Sequence, residues 1–357
     1  MPKVSVVMTV YNSQKYLKEA IESILNQTFR DFEFIIVDDA STDQAAEIIR
    51  SYKDQRIILL TNSRNLGQTK SLNIGIRRAQ GQYIARMDAD DICELTRLQL
   101  QVEYLEAHKD IALVGSWALR IDEEGKQGTL FKTPTDPLMI KCYLAGSGEL
   151  SYWCIIHPTV MLHRTIFEEV GFYNEEKGDI QGYPQDYEFW GKVFTKFKIA
   201  NLDKALLRYR ILKTSDSRKY AIKQLDYRFE ITSKKVQSFV PDFKEEQINS
   251  LSNMLEFRPQ SSSIKGKAVL NLFDHYFDQV LKEEKDHPNA QNIKRKLKFY
   301  YLPQLYLTNK LLAIKEYFKN IFFHPLSFFD IKFYRKIFKA FSINDQLSKS
   351  GFVFQGA

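Results

Sequence analysis

Between residues 4 and 117 the chain alternates two rhythms of apolar and polar positions. Short, nearly unbroken apolar runs, "VSVVMTV", "FEFIIV", "RIILL" and "QYIARM", are separated by helical patterns running from about Gln14 to Asn26, Asp43 to Tyr52 and Gly67 to Ala79. Continuous apolar runs suit strands buried on both faces, and amphipathic helices between them supply the crossovers that parallel strands require. This pattern predicts an α/β half built on a parallel sheet covered by helices.

From about residue 111 to 211 the pattern becomes mixed. Short strands are predicted at "IALVGSWAL", "PTVMLH" and "ALLRYRI", a Pro/Thr/Asp-bearing turn at "KTPTDP", and an aromatic, acidic helix start at "GYPQDYEFWGKVF". The polar stretch from Asn174 to Tyr183 reads as a mobile loop of the kind that closes over a substrate. After about residue 215 the strand patterns stop and several polar helices are expected, with "RPQSSSIKG" (Arg258 to Gly266) as a linker. From Ile331 to Phe341 the spacing of Tyr334, Ile337, Phe338 and Phe341 predicts an amphipathic helix, with Lys332, Arg335, Lys336 and Lys339 on another face.

Composition narrows the class without naming a function. The 357 residues are 44% hydrophobic and 27% charged, ordinary for a globular protein, and no run approaches a membrane span. "MPKVSVVMTVYN" has a single Lys and no small-residue cleavage site, so it reads as a buried strand rather than a signal peptide. Cys93, Cys142 and Cys154 are odd in number and lack metal-site spacing, which points to a reduced, cytoplasmic setting. The net charge of +7 is concentrated at the end: from residue 290 onward twelve Lys and Arg face three Asp and Glu. A basic aromatic helix there suits an anionic membrane surface, or packing on the catalytic domain or on a second subunit as a homodimer; nucleic acid is a poor fit because no recognition motif accompanies the charge.

Ligands of such sheets bind beyond the carboxyl ends of the strands. Four polar stretches stand there: "TVYN" (Thr9 to Asn12), "DDASTD" (Asp38 to Asp43), "NSRNLG" (Asn62 to Gly67) and "DADD" (Asp88 to Asp91). The last, within "RMDADD", crowds three carboxylates into four positions. Two carboxylates about 4 Å apart repel by roughly 1 kcal/mol in water and about 4 kcal/mol at a protein surface. A partly buried cluster of this kind needs a cation or shifted pKa values; an exposed one is simply a turn.

Six segments in order, "VSVVMTVYN…YLKEAIESILNQTF", "FIIVDDASTD", "NLGQTKSLNIGI", "GQYIARMDADD", "HPTVMLHR" with "EEVGFYNE", and "PQDYEFW", resemble the inverting glycosyltransferases of family 2 over about residues 4 to 211. That resemblance implies the GT-A fold, a Rossmann-like mixed α/β sheet flanked by helices, here with a helical C-terminal extension. It implies a catalytic domain over residues 1–215, divided near residue 110 into a nucleotide-binding and an acceptor half. A helical extension over 216–290 and the tail over 291–357 complete the division.

The resemblance also implies roles. Thr9, Val10, Tyr11 and Asn12 line the base pocket, and Asp39 accepts a uracil N3–H; the alternatives are packing for Tyr11 and a helix N-cap for Asp39. Asn65 lies near the nucleotide or forms a turn. Asp88, Ala89 and Asp90 hold the nucleotide sugar, with Asp90 and Asp88, and less directly Asp91, on Mn²⁺ or Mg²⁺, ions that favour hard oxygen ligands. Asp186 is the catalytic base, or alternatively a helix cap, and Tyr187 and Trp190 pack.

The implied activity moves a sugar, UDP-linked by expectation, onto a hydroxyl of a glycan or lipid-linked glycan in surface-polysaccharide synthesis. The setting would be peripheral to the cytoplasmic face of the inner membrane. Two departures stand out: Gln185 replaces the Glu many relatives carry before the base, and Leu212 stands where a metal-binding His is common, so either water or Asp216 fills the shell or metal dependence is weaker. His157 and His163 are expected to pack rather than ligate. The alternatives are a nucleotidyltransferase, disfavoured because "TVYNSQKYL" has no Gly, and a catalytically silent glycan- or membrane-binding protein.

Overall fold

The computed structural model describes residues 1–146, 154–178, 180, 182–213, 220–256, 264 and 267–308. The chain divides into two compact units, Met1–Lys235 and Val236–Ala357.

The first unit is organised by a sheet whose parallel half matches the sequence pattern closely. Strands β1 (Val4–Val10), β2 (Phe32–Asp38), β3 (Ile57–Thr61) and β4 (Tyr83–Asp88) lie in the order β3-β2-β1-β4, all parallel. Helices α1 (Gln14–Leu25), α2 (Ala45–Ser51) and α3 (Gln68–Arg78) connect them. In β1 every apolar side chain is buried, which explains the unbroken run; each contributes about 1.5–3 kcal/mol. Register then sets the site: Val10 pairs with Asp38 and Thr9 with Asp88, so the polar ends of three strands finish level.

Helix α3 lies close on this sheet because Gly75 has no side chain; a Cβ there would stand 2.6 Å from Val7 Cγ1. Any larger residue would force the helix outward.

The remaining strands are β5 (Ile92–Cys93), β6 (Ile111–Ile121), β7 (Gln127–Phe131), β8 (Met161–His163) and β9 (Lys198–Arg210). Strand β8 runs antiparallel between β4 and β6, β9 is parallel to β6, and β5 closes the far edge antiparallel to β9. Strands β4 and β5 are thus four pairings apart, about 19 Å in a flat sheet, yet only Ala89 to Asp91 separate them. Such a short link reaches roughly 14 Å at most, so the sheet must curl, and the acidic turn spans the fold.

Three expectations change here. Strand β9 is much longer than the seven residues predicted, since it alternates polar and apolar positions and only its end reads as a strand. Strand β7 was not expected, because four of its five residues are exposed and leave no apolar pattern. The turn at "KTPTDP" is the start of a helix, α5 (Pro137–Ala145): Asp136 caps it, its Oδ1 accepting from Leu138 N at 2.8 Å, with Pro137 in the first turn.

Helix α4 (Arg97–Ala107) joins the two halves through a buried cation. Arg97 is fully buried, and its guanidinium donates to the carbonyls of Arg86 (2.8 Å) and Val160 (3.2 Å) and to Gln101 Oε1 (3.1 Å). Arg97→Met should fill the space yet remove the guanidinium donors to the Arg86 carbonyl and Gln101 Oε1, while Val160 O keeps the Arg86 N–H, costing about 3 kcal/mol. Thermal unfolding is therefore expected to fall by roughly 6–12 °C, and an unchanged transition would show that water replaces the guanidinium.

Short helices α6 (Ile166–Val170) and α7 (Glu175–Gly178) precede α8 (Gln185–Val193). The stretch expected to be a free loop therefore contains a helical turn. Helix α9 (Ala221–Phe239) runs across the division between units.

The second unit contains α10 (Glu245–Leu255), α11 (Lys267–Val280) and α12 (Ala290–Thr308). Buried Leu251, Met254, Phe273, Phe277 and Tyr301 form its apolar interior, while Lys294 pairs with Asp278 at 2.6 Å. Among the described residues no helix is long and apolar enough to cross a membrane. The amphipathic helix expected over Ile331 to Phe341, Asp216, and the linker at 258–266 apart from Ile264 lie outside the described residues.

Candidate functional site

A cleft of about 1090 Å³ opens at the carboxyl ends of β1, β2 and β4. Thr9, Val10, Tyr11, Asn12, Asp39, Asn65, Asp88, Ala89, Asp90 and Asp186 all line it, while Asp91 lies buried beside it.

The loops after β1 and β2 are fastened to each other. Asn12 adopts a left-handed backbone (φ 50°), tolerable for Asn, and its Oδ1 accepts from Thr42 N at 2.8 Å. Gln14 N donates to Asp43 Oδ2 at 2.9 Å, and Asp43 Oδ1 accepts from Ala45 N at 3.0 Å. Asp43, not Asp39, therefore serves the start of α2. Asp39 instead accepts from Asn62 Nδ2 (2.7 Å), Leu66 N (2.8 Å) and Gly67 N (2.9 Å). Its Oδ2 takes one of those bonds, leaving capacity for another donor from the cleft. Gly67 has φ 88°, a left-handed conformation that lets the loop wrap this carboxylate before α3 begins. Tyr11 is half exposed at the cleft rather than packed.

At the end of β4 the carboxylates of Asp88, Asp90 and Asp91 each offer an oxygen within 4.8 Å of the others. Arg86 and Asp88, two apart on one strand, project from the same face and form a two-pronged ion pair, with Nη1 to Oδ2 at 2.5 Å. Arg210, from the end of β9, donates its N–H to Asp91 Oδ1 and its Nε to the Asp90 carbonyl, both at 2.8 Å. Asp91 Oδ2 is buried without a hydrogen-bond partner. Burial, reinforced by the Asp88 charge, pushes the Asp90 carboxyl up to about 6. Burial and the neighbouring Asp90 and Asp88 raise Asp91 well above the usual carboxylate range.

An orphaned oxygen and two strongly raised acids in a cluster with one paired cation constitute a site that a divalent ion fits. Among the described residues no His joins the cluster, and Leu212 lines the cleft with no ligand atom to give.

In the same cleft Asp186 sits in the first turn of α8, after the capping residue Pro184, and its Oδ1 accepts from Tyr187 N at 2.8 Å. Burial raises its carboxyl above the ordinary range, and the Asp88 charge adds to the shift. His157 lines the cleft, with Nε2 3.0 Å from Tyr173 Oη; burial lowers its pKa far below the usual value, so it stays neutral. His163 stacks edge-on against Tyr83, with ring centroids 4.8 Å apart. Tyr187 and Trp190 are buried.

The sequence reading assigned no role to Arg86, Arg210 or Thr69. Arg86 had a signal in its i, i+2 spacing from Asp88; Arg210 and Thr69 had none, being distant in sequence from what they hold.

The glycosyl transferase family 2 model matches residues 5–171. An uncharacterized glycosyltransferase of Methanocaldococcus jannaschii is 42% identical over 215 residues, 59% of this chain and 71% of the relative. This chain belongs to glycosyl transferase family 2. The glycosyltransferase also aligns with the UDP-Glc:alpha-D-GlcNAc-diphosphoundecaprenol beta-1,3-glucosyltransferase WfaP of Escherichia coli, at 29% identity over 59% of this chain and 78% of that protein. Its fold matches the crystal structure of S. aureus TarS in complex with UDP-GlcNAc, with a TM-score of 0.57, 18% identity, and coverage of 99% and 93% of the two chains. The fold is therefore GT-A, as the sequence implied. The family model ends before α8, so Asp186 enters the site from beyond the matched region.

Proposed function

We propose that this glycosyltransferase moves a sugar, with inversion, from a UDP-sugar to a hydroxyl of a glycan or lipid-linked glycan. The observation that carries the reading is one cleft lined by both the acidic β4 turn and the raised carboxylate of Asp186. The UDP preference is supported by the names of WfaP and of the TarS complex, and the acceptor class by that of WfaP.

In this reading Tyr11 and Asp39 receive the base, the remaining lone pair of Asp39 Oδ2 accepting the uracil imide N–H. Asp90 and Asp88, with Asp91 behind them, would hold Mn²⁺ or Mg²⁺. When bound, the ion supplies charge that offsets the negative charge gained by the departing diphosphate.

Asp186 takes the proton from the acceptor hydroxyl. The acceptor oxygen forms its bond to the anomeric carbon as the sugar–phosphate bond breaks, and the electron pair leaves with UDP. A single displacement of UDP by the acceptor oxygen, with one carboxylate as base, inverts the centre. The basic aromatic tail would keep the enzyme at an anionic membrane on the cytoplasmic side, where a lipid-linked acceptor resides.

A panel of UDP-sugars with Mn²⁺ and a GlcNAc-diphosphate-lipid acceptor tests this reading. One donor is expected to yield a β-linked product from its α-linked donor, read from the anomeric proton coupling. A retained configuration would refute inversion. Binding without turnover across donors and acceptors would favour a silent binding protein.

A further inference from the structure

Helix α3 carries a row of polar side chains that the proposed chemistry does not use. Thr69, Asn73 and Arg77 fall at four-residue intervals and so share one face, opposite the Gly75 contact with β1. Asn73, fully buried, donates Nδ2 to the Tyr173 carbonyl (2.8 Å) and Glu175 Oε1 (2.9 Å), and accepts from Tyr173 N at 3.2 Å. Arg77 pairs with Glu175 at 2.7 Å. Thr69, also fully buried, donates its hydroxyl to Gln185 Oε1, and Gln185 Nε2 donates to Gln68 Oε1 at 3.2 Å. The chain leading to Asp186 is thus laced to α3 at three successive turns. The same helix begins at Gly67, whose N–H is bonded to Asp39.

We propose that Thr69 is a positioning residue: its hydroxyl holds Gln185 so that Asp186, the next residue, stands in fixed register with the donor site built around Asp39. This rests on Asp186 being the base. The donor loop and the base are both fastened to the first turn of one helix, at Gly67 and Thr69, so donor placement and base alignment are set by a single element. It also gives the Gln at position 185 a task suited to a neutral amide, which accepts from Thr69 and donates to Gln68 at once.

Thr69→Val keeps the shape and removes the donor; Thr69→Ser keeps the donor. Displacing a reacting group by about 1 Å costs on the order of 10²-fold in rate. Thr69→Val is therefore expected to lower transfer kcat by about 10²-fold, with UDP affinity in Mn²⁺, measured calorimetrically, within about threefold of the parent. Thr69→Ser should recover most of the rate.

Gln185→Ala removes the same bond from a partly exposed position, so it decides the matter even if Thr69→Val fails to fold. The double variant should be no slower than the slower single, because both remove one interaction. Unchanged kcat in Gln185→Ala, or UDP affinity lost in step with kcat, overturns the proposal. Asp186→Asn is measured alongside: transfer surviving in that variant removes the base itself, whereas its loss beside a normal Gln185→Ala removes only the latch.

Discussion

Asp186→Asn is expected to reduce transfer by about 10²–10⁴-fold while leaving UDP binding intact. The amide retains an oxygen to accept from Tyr187 N, so α8 keeps its first turn, but it cannot take a proton from the acceptor. The proposed nucleotide contacts gather around Asp39 and the β4 turn and include no bond to Asp186. Steady-state transfer and calorimetry with UDP on the same preparation separate these effects. Wild-type transfer would remove Asp186 as the base.

The parent enzyme should carry a matching pH signature. A base works ionised, and burial raises this carboxyl, so transfer falls as pH drops through a value above the usual aspartate range near 3.9. In Asp186→Asn the residual rate should lose that limb.

Asp90→Ala is expected to abolish Mn²⁺-promoted UDP binding and to lower transfer by at least about 10²-fold, since a bound cation contributes several kcal/mol to charge stabilisation. Affinity for UDP with and without Mn²⁺ is the measurement; an intact metal increment would place the ion elsewhere. The parent should lose this increment on acidification, because protons compete for a carboxyl pushed up to about 6. Binding should be strong at pH 7.5 and weak at pH 5.

The metal-free proteins should show the opposite ranking in stability. A carboxyl raised by folding favours its protonated form, so its charge destabilises the fold increasingly as pH rises from the unfolded value toward 6 and fully above it. Without metal, Asp90→Ala is therefore expected to melt higher than the parent at pH 7.5, with the advantage shrinking toward pH 5 and lost only below the unfolded value near 3.9. The cluster is held together at a cost to the empty fold, as sites that bind charge commonly are.

Asp39 shows how far residue type alone carries an assignment. Its alternatives were a helix cap or a base-binding carboxylate, both consistent with a short acid after a buried strand. The competition was resolved by Asp43, which bonds the start of α2 and leaves Asp39 to the Gly67 loop. Capping is a local contest among neighbours, and only the backbone path shows which neighbour won.

The sequence by itself determined the four parallel strands, their connecting helices and the polar segments at their carboxyl ends. Burial on both faces writes itself as unbroken apolar runs, and the turn that ends a strand writes itself as Asp, Asn and Gly. It also determined the family, through six segments in order. It did not reveal β7, whose side chains are mostly exposed, or read "TDP" as a helix start, because the following residues are apolar on all sides.

Only the tertiary structure decided who partners whom. Asp91 is bonded by Arg210 across 119 residues, and Thr69 by Gln185 across 116. Periodicity reports how each residue sits on its own element; it carries no information about which elements the curl of the sheet brings face to face. That curl makes one cleft of a β4 turn and an α8 carboxylate almost a hundred residues later in the chain, and the proposed chemistry depends on that meeting.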